Sequence, residues 1–387
     1  MKQSGVIWCA LAIASMLALP ALAAVPTGQE QPVFPASAKA CAALDRADTP
    51  LHAFRDAQGK VQAIATSNMN YRYIGSDLNH LKHDCHIIFK GGQDPDPTHN
   101  NNEGWIHGTY TADGKTIYAL VHNEYWGNRF LPACKNDYTG CWWNSVTWVK
   151  STDGGKTYKL PPVDQRLVIG MAMPYKPKVG HPVGFMNPSN ILPLGQYLYA
   201  YVRVMGYGNQ RSGNYLIRKS LKAPWNQWQV WNGHGYADIH DLIRKGGPVG
   251  VPVNVGYPEG YANAAPMTVM SITRHQPTGL FVALMARGSR LAKNTAEQGF
   301  YIATSKNLVY WSKPQQILQA NFECIPTKKG PQSFYRYYSL VDPASKDRNF
   351  STIGNNPYVY TTKITVPSCS GDKTLELVRI PVHLQAK

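Results

Sequence analysis

Three carboxylates are candidates for chemistry because the sequence around two of them repeats. Asp48-Thr49-Pro50-Leu51-His52 lies as far before Gly59 as Glu103-Gly104-Trp105-Ile106-His107 lies before Gly114. In the same frame Ser67-Asn68 aligns with His122-Asn123, and Glu124 follows directly. If the two stretches are equivalent strands, Asp48 and Glu103 enter them at one end and Glu124 returns to that end. Carboxylates held close and partly out of water push their pKa values apart, so one stays protonated while another ionises. Such a set supplies the general acid, the base or nucleophile, and the pKa tuner that glycoside hydrolysis needs. The competing explanation is structural, with solvated loop acids or caps at the start of strands.

The same end should carry Asn68, Arg72, Trp105, His122, Asn123, Tyr125, Trp126, Asn187, Asn190, Arg203, Arg287 and Tyr338. Sugars are held by such residues, aromatic faces against C–H surfaces and amides or guanidinium groups on hydroxyls or carboxylates. About half of this set is expected to touch substrate and the rest to pack between strands. Other polar residues read as structure. Asp56 opens a glycine turn at the opposite end, and Asp153 is a turn residue whose side chain bonds local N–H groups. His83-Asp84-Cys85-His86 looks like a metal cluster, but alternate residues of a strand point to opposite faces. Asp94-Pro95-Asp96-Pro97 is read as a proline-rich turn, and Gly246-Gly247-Pro248-Val249-Gly250 lacks the Lys-Ser/Thr of a phosphate loop.

The elements that must position these residues are strands. Helical periodicity is nearly absent, while aromatic and β-branched runs alternate with Gly, Pro and Asn turns. Ser151-Thr152-Asp153-Gly154-Gly155-Lys156-Thr157-Tyr158 has counterparts beginning at Ser76, Ser220 and Ser305, about 70–85 residues apart. Repeats of that length built from strands and turns predict an all-β, five-bladed β-propeller of four-stranded antiparallel blades. Expected strands lie near 52–55, 61–67, 71–75 and 85–89, then 105–110, 116–121, 144–150 and a strand after Tyr158. The third blade is expected at 189–192, 197–204, 215–219 and 227–231, and the fourth at 268–274, 280–286, 299–304 and 315–318. The fifth, at 338–341, 357–362 and 375–382, lacks one strand, which the segment around 32–34 would supply. Short glycine-bearing turns then gather on one face and long polar loops on the other, where binding sites are built.

Composition bounds the setting. Lys2 precedes an apolar run from Val6 to Leu19, and Ala21-Leu22-Ala23 offers small residues for cleavage before Ala24. Residues 1–23 are thus expected to be a signal peptide and 24–387 a single propeller domain, secreted or periplasmic, with no membrane span. Six cysteines remain, an even number that favours disulfides in an exported chain. Cys134 and Cys141 are near enough to staple one loop, with Cys41–Cys85 and Cys324–Cys369 as the further pairings expected. The net charge of +16 is scattered and accompanied by no nucleic-acid-binding signature. A carbohydrate, neutral or acidic, fits better than nucleic acid, although a basic pI also serves solubility alone. A monomer is expected.

Two resemblances follow from these residues. The Ser151–Tyr158 stretch resembles the Asp-box of sialidases and related propellers, with Tyr in place of the usual Trp. The stretch from Gly299 to Trp311 looks like the blade strand of five-bladed glycosidases of the arabinanase, xylosidase and levansucrase kind. The second resemblance implies an Asp base on the first blade, an Asp modulator on the second and a Glu acid on the third. Asp48 and Glu103 fill the first two positions, with Glu replacing Asp in the second. The third blade offers Asn187 and Asn190 instead of an acid, so Glu124 would substitute from blade two. The sialidase pattern implies three arginines, for which Arg72, Arg203 and Arg287 are available, and a nucleophile at Tyr338. Asp-boxes also occur in non-enzymatic propellers and support fold better than activity. The sequence thus points to a glycoside hydrolase working through Glu103, Glu124 and Asp48. The alternative is a non-catalytic propeller that binds an acidic glycan or a surface protein. No cofactor is expected, and an axial calcium ion is left open.

Overall fold

A computed structural model describes residues 22–34, 40–42, 45–257 and 267–386. Strands β1 (Leu22–Pro26) and β2 (Gln31–Phe34) precede a four-stranded sheet of β3 (His52–Arg55), β4 (Val61–Ile64), β5 (Arg72–Gly75) and β6 (Leu81–Asp84). Next come β7 (Glu103–Tyr110), β8 (Ile117–Trp126), β9 (Trp142–Ser151) and β10 (Leu167–Ile169). They are followed by β11 (Val183–Met186), β12 (Leu192–Leu194), β13 (Tyr197–Met205), β14 (Gly213–Ser220), β15 (Gln229–Trp231) and β16 (Tyr236–Asp238), which runs into the short helix α1 (Ile239–Arg244). A further sheet holds β17 (Val269–His275), β18 (Phe281–Arg287), β19 (Gly299–Ser305) and β20 (Gln315–Gln319). The last group is β21 (Gln332–Val341), β23 (Tyr358–Val366) and β24 (Thr374–Ala386), with the two-residue β22 (Thr352–Ile353) pairing instead with β17. The protein is all-β apart from α1 and a few single-turn helices, and none of its described helices is long and apolar enough to cross a membrane.

Both β1 and β2 pair with β24, so the N-terminal segment completes the last sheet, as the missing strand of the repeat required. Of the expected leader, only Leu22 and Ala23 fall among the described residues, as the first positions of β1. Two outer strands differ from the sequence reading. The fourth strand of the first sheet is Leu81–Asp84 rather than 85–89, because Cys85 is drawn off into a disulfide with Cys41. After Tyr158 there is only a single bridge between Lys150 and Lys159, and the outer strand comes later, at β10. Before Leu192 enters the β12–β13 ladder, the segment from 189 is held by single bonds, Ser189 N–H on the Tyr201 carbonyl at 2.8 Å and Tyr201 N–H on Ser189 Oγ at 3.0 Å.

The sheets bury both faces, so central strands such as β8 and β9 have few exposed positions even where they carry polar residues such as His122, Glu124 and Asn144. Phe54 and Ile64 pack on Ile106, Ala119 and Val149. Leu120, Val146 and Val168 meet Phe185, Val202 and Ile217, and Tyr201 and Leu216 meet Ile272 and Ala283. Leu284 and Ile302 meet Leu340, Val359 and Leu384, while Tyr360 and Leu377 meet Ala53, Ala63 and Tyr73. Buried amides tie one group to the next. Asn70 bonds the backbone of Gly104 and Ile106, each at 2.7 Å, and Asn190 accepts from Ile272 N–H at 2.8 Å while donating to its carbonyl at 2.7 Å.

One connection was not expected. Strand β11 pairs antiparallel with β13 and parallel with β9, fusing two strand groups into a ten-stranded sheet. Gly184 permits it, since at φ +115° a Cβ there would lie 2.1 Å from the Asn144 carbonyl oxygen. The three disulfides are Cys41–Cys85, Cys134–Cys141 and Cys324–Cys369. Within the 83–86 string Cys85 is oxidised to Cys41, Asp84 bonds Arg72, and His83 lies 3.3 Å from Asp45 and 3.6 Å from Cys41 Sγ.

The repeated turns share a bonding pattern. Ser151 Oγ accepts from Gly155 N–H at 2.8 Å, and Asp153 accepts from the N–H groups of Lys156 and Thr157. Ser305 and Asn307 do the same for Leu308, Val309 and Tyr310. Burial alone would raise the Asp153 pKa, but the hydrogen bonds from Thr157, Ser151 and the backbone outweigh it and hold the value at about 2. Asp153→Ala removes these acceptors together and is expected to cost about 1 kcal/mol, the usual worth of a side chain that caps backbone N–H groups near solvent. A lower urea midpoint at unchanged slope is the result that checks it.

Candidate active site

Glu103 and Glu124 are direct partners in the antiparallel ladder of β7 and β8, with Gly104 opposite Asn123 and Trp105 opposite His122. Side chains so placed have Cβ atoms about 5 Å apart, and like charges there repel. The two acids resolve this differently. Glu103 pairs with Arg129 and accepts from the Asn68 amide. Glu124 is buried and forms no ion pair with a described Lys or Arg; it accepts from Trp126 Nε1 at 2.8 Å and lies 3.5 Å from His122 Nδ1. Loss of water raises its pKa, the Trp126 bond opposes this, and the charges of Asp48 and Glu103 add to it, bringing it to about 8. Glu124 is therefore protonated at neutral pH.

The two-residue period of β8 puts His122, Glu124 and Trp126 on one face, and all three line a cavity of about 200 Å³. Asp48 lines it from the loop before β3, with Trp105 and His107 from β7 and Asn187 from the turn after β11. Burial raises the Asp48 pKa, while Arg46, hydrogen bonds from Tyr337 and Trp105, and Arg336 pull the other way. Aromatic rings wall the space, with Trp126 and Trp142 each 5.3 Å from Tyr138 between them. Arg129 lies 4.0 Å over the Trp126 ring, which aims its guanidinium at Glu103. Arg129 and Tyr138 sit on the β8–β9 connection, which the Cys134–Cys141 disulfide fastens.

Three buried histidines are held neutral, His107 and His122 in the cavity wall and His52 outside it. Burial takes His52 to about 3 and His122 to about 4, the latter against bonds to Asn144 and Asn187 that favour its charged form. His107 is pushed well below its ordinary value by burial and then by His122 and His52. Asn144 donates to the Val183 carbonyl at 2.9 Å, so its oxygen is left to take the His122 Nε2 proton at 2.8 Å. The parallel strand that Gly184 allows thus orients the imidazole beside Glu124.

Of the residues singled out in the sequence, Asp48, Trp105, His122, Glu124, Trp126 and Asn187 line the cavity, and Glu103 and Asn68 adjoin it through their own contacts. The others serve elsewhere. Asn123 and Tyr125 alternate away on β8, where Asn123 accepts from Asn102 N–H at 2.9 Å and Tyr125 donates to the Pro95 carbonyl at 3.0 Å. Arg72 is bonded to Asp84 and Gln62, and Asn190 clamps Ile272. Arg203 donates to Thr268 Oγ1, and Arg287 lies 2.8 Å from Glu297. Tyr338 donates to the Thr268 carbonyl at 2.8 Å and does not reach the cavity. Its neighbour Tyr337 does, because β21 changes register between Arg336 and Ser339 with Tyr337 at φ +53°. Such a bulge turns one more residue inward and reverses the alternation beyond it. Tyr337, His107, Tyr138, Trp142, Arg129 and Arg46 had no local signal as site residues.

No family model matches the sequence, and no curated protein matches it. Among solved structures, the chain is similar to an α-L-arabinofuranosidase from Podospora anserina at 10% identity and TM-score 0.48, over 93% of this chain and 98% of that one. A GH62 α-L-arabinofuranosidase catalytic domain from Coprinopsis cinerea aligns at 12% identity and TM-score 0.46, over 94% and 98%. A GH43_1 enzyme from Xanthomonas citri aligns at 10% and 0.47, over 93% and 90%. Likenesses at this level carry no weight for the chemistry, which rests on the residues of the site.

The raised pKa of Glu124 has a consequence for stability. Its folded value of about 8 lies above the ordinary 4.5, so the cost of ionising it in place grows as pH rises through that interval and is complete above about 8. Glu124→Gln keeps the shape without the charge. The variant is expected to melt higher than wild type at about pH 8.5 and at nearly the same temperature at about pH 5. Thermal melts at the two pH values check this, and an equal shift at both would place the carboxyl in water.

Proposed function

We propose that the chain is an exported five-bladed β-propeller that hydrolyses glycosidic bonds in a poly- or oligosaccharide, neutral or acidic. Support for the ring comes from the core clusters, which link each strand group to the next and the last to the first. Support for the chemistry comes from one observation above all. Two carboxyl groups, Asp48 and Glu124, share one aromatic-walled cavity, and burial raises the pKa of both, that of Glu124 to about 8.

Glu124 is the general acid. It gives its proton to the glycosidic oxygen as the bond to the sugar carbon breaks. Asp48 is assigned the other role, base to the water that bonds the sugar carbon or nucleophile to that carbon itself, with Arg46, hydrogen bonds from Tyr337 and Trp105, and Arg336 favouring its carboxylate against burial. Glu103, held by Arg129 and Asn68, stays out of the proton transfer and raises the pKa of Glu124 across the ladder. Trp105, Trp126, Tyr138 and Trp142 offer faces for the C–H surfaces of a sugar ring.

The test is release of reducing ends by the oxidised protein from a panel of neutral and acidic polysaccharides. Wild-type activity is expected to fall as pH rises through about 8, where Glu124 loses its proton. Glu124→Gln is expected to lose about 10²–10⁴ in kcat/KM. Aryl glycosides whose leaving group needs no protonation should recover most of that loss. Asp48→Asn should be inactive on both kinds of substrate. If no polysaccharide yields product while glycan binding survives in both variants, the site is a binding pocket and the hydrolase reading fails.

A further inference from the structure

A second cavity, of about 670 Å³, opens at the other end of the strands that carry the acids. Tyr118 lines it and Glu124 lines the first, six positions further along β8 on the same face. At the rise of a strand that is about 20 Å. The walls of the second cavity come from β8, the end of β9, the end of β14 and the turn that follows.

Its floor is aromatic. Tyr118 stacks on Trp225 with ring centres 4.2 Å apart and planes within 9°, and Trp148 and Tyr110 flank Trp225 at 6.1 and 6.3 Å. The turn that presents Trp225 is fixed from below. Lys219 is buried, donates to the carbonyls of Ser220 and Ala223 at 2.7 and 2.8 Å, and sets its ammonium 5.0 Å from the Trp225 ring. Lys150 and Lys222 stand exposed at the rim, Lys150 reaching to 5.7 Å from the Tyr118 ring. No Asp or Glu is among the residues that line the cleft.

We propose that this cleft is a second, non-catalytic binding site for an anionic oligosaccharide. The outward surfaces of Tyr110, Tyr118, Trp148 and Trp225 form an apolar wall for the C–H surfaces of the sugar rings, and Lys150 and Lys222 take its carboxylates. Charge complementarity selects an acidic chain, because the described lining offers two exposed lysines and no carboxylate on a protein of net charge +16. The same lack of a carboxylate leaves the cleft without an acid or base, so it holds sugar without cutting it. This site stands whether or not the first cavity hydrolyses anything.

The test is calorimetric titration of the oxidised protein with hexagalacturonate, and with xylohexaose as the neutral counterpart. The double variant Lys150→Glu/Lys222→Glu changes exposed side chains only, and Trp225→Ala, checked by circular dichroism, removes the platform. Hexagalacturonate affinity is expected to fall about tenfold or more in both and to be unchanged in Glu124→Gln. It should weaken as salt is added, and xylohexaose should bind far less well. Loss in Glu124→Gln with retention in the lysine variant would put the acidic sugar in the carboxylate cavity and overturn the proposal. Equal binding of the neutral sugar, no binding of either, or self-association that Trp225→Ala abolishes without any sugar binding would overturn it as well.

Discussion

Two glutamates sit face to face on neighbouring strands, and the site is organised around the repulsion this creates. In water, Glu103 and Glu124 would both ionise, and a ladder that opposes them would be weakened. Here Arg129 and Asn68 take up one charge and burial suppresses the other. The asymmetry is local and geometric. Arg129 is steered by the Trp126 ring toward Glu103 and acts on Glu124 more weakly, while Glu124 accepts an indole N–H and lies beside a neutral imidazole. A proton is retained where a solvated glutamate would have lost it, and that retained proton is what the cavity has to offer a substrate.

Keeping it there needs dry and rigid surroundings. The neutral histidines His52, His107 and His122 supply them at a cost, since each must stay unprotonated in the folded state. Their stabilising contribution is present above the ordinary histidine value of 6.5 and falls away as pH drops toward about 4 and 3 for His122 and His52. Glu124 runs the other way, losing stability as pH rises toward about 8. The site is therefore bounded on both sides of neutrality by the same cause, removal of ionisable groups from water. The orientation of His122 traces back through Asn144 to a parallel strand that only a glycine at position 184 allows.

Much of this was legible in the sequence because it rests on repetition and alternation. The equal spacing of Asp48 from Gly59 and of Glu103 from Gly114 placed two acids at equivalent points, and Glu124 followed from strand return. The inner and middle strands were legible for the same reason. The outer strands were not, since short segments such as Leu81–Asp84 and Leu167–Ile169 carry little pattern of their own. Among the candidate site residues, those that lie away from the cavity do so for separate reasons. Asn123 was grouped with His122 although neighbours on a strand face opposite ways, and Tyr338 was chosen where a bulge brings Tyr337 inward instead. Arg203 and Arg287 end strands near the acids in sequence terms, but Thr268 and Glu297 claim their side chains, and such partners are visible only in three dimensions.

The pairing of β24 with β1 and β2 bears on how the chain reaches this state. The first described strand and the last are ladder partners, Leu22 opposite Ala386 and Gln31 opposite Arg379. During synthesis the early strands emerge with their edge groups unmatched and must wait until nearly the whole polypeptide is available. Contacts so distant in sequence fold slowly, and an exposed strand edge in the interval is a template for pairing with another chain. A polypeptide of this topology therefore gains from being kept unfolded until its last strand is available.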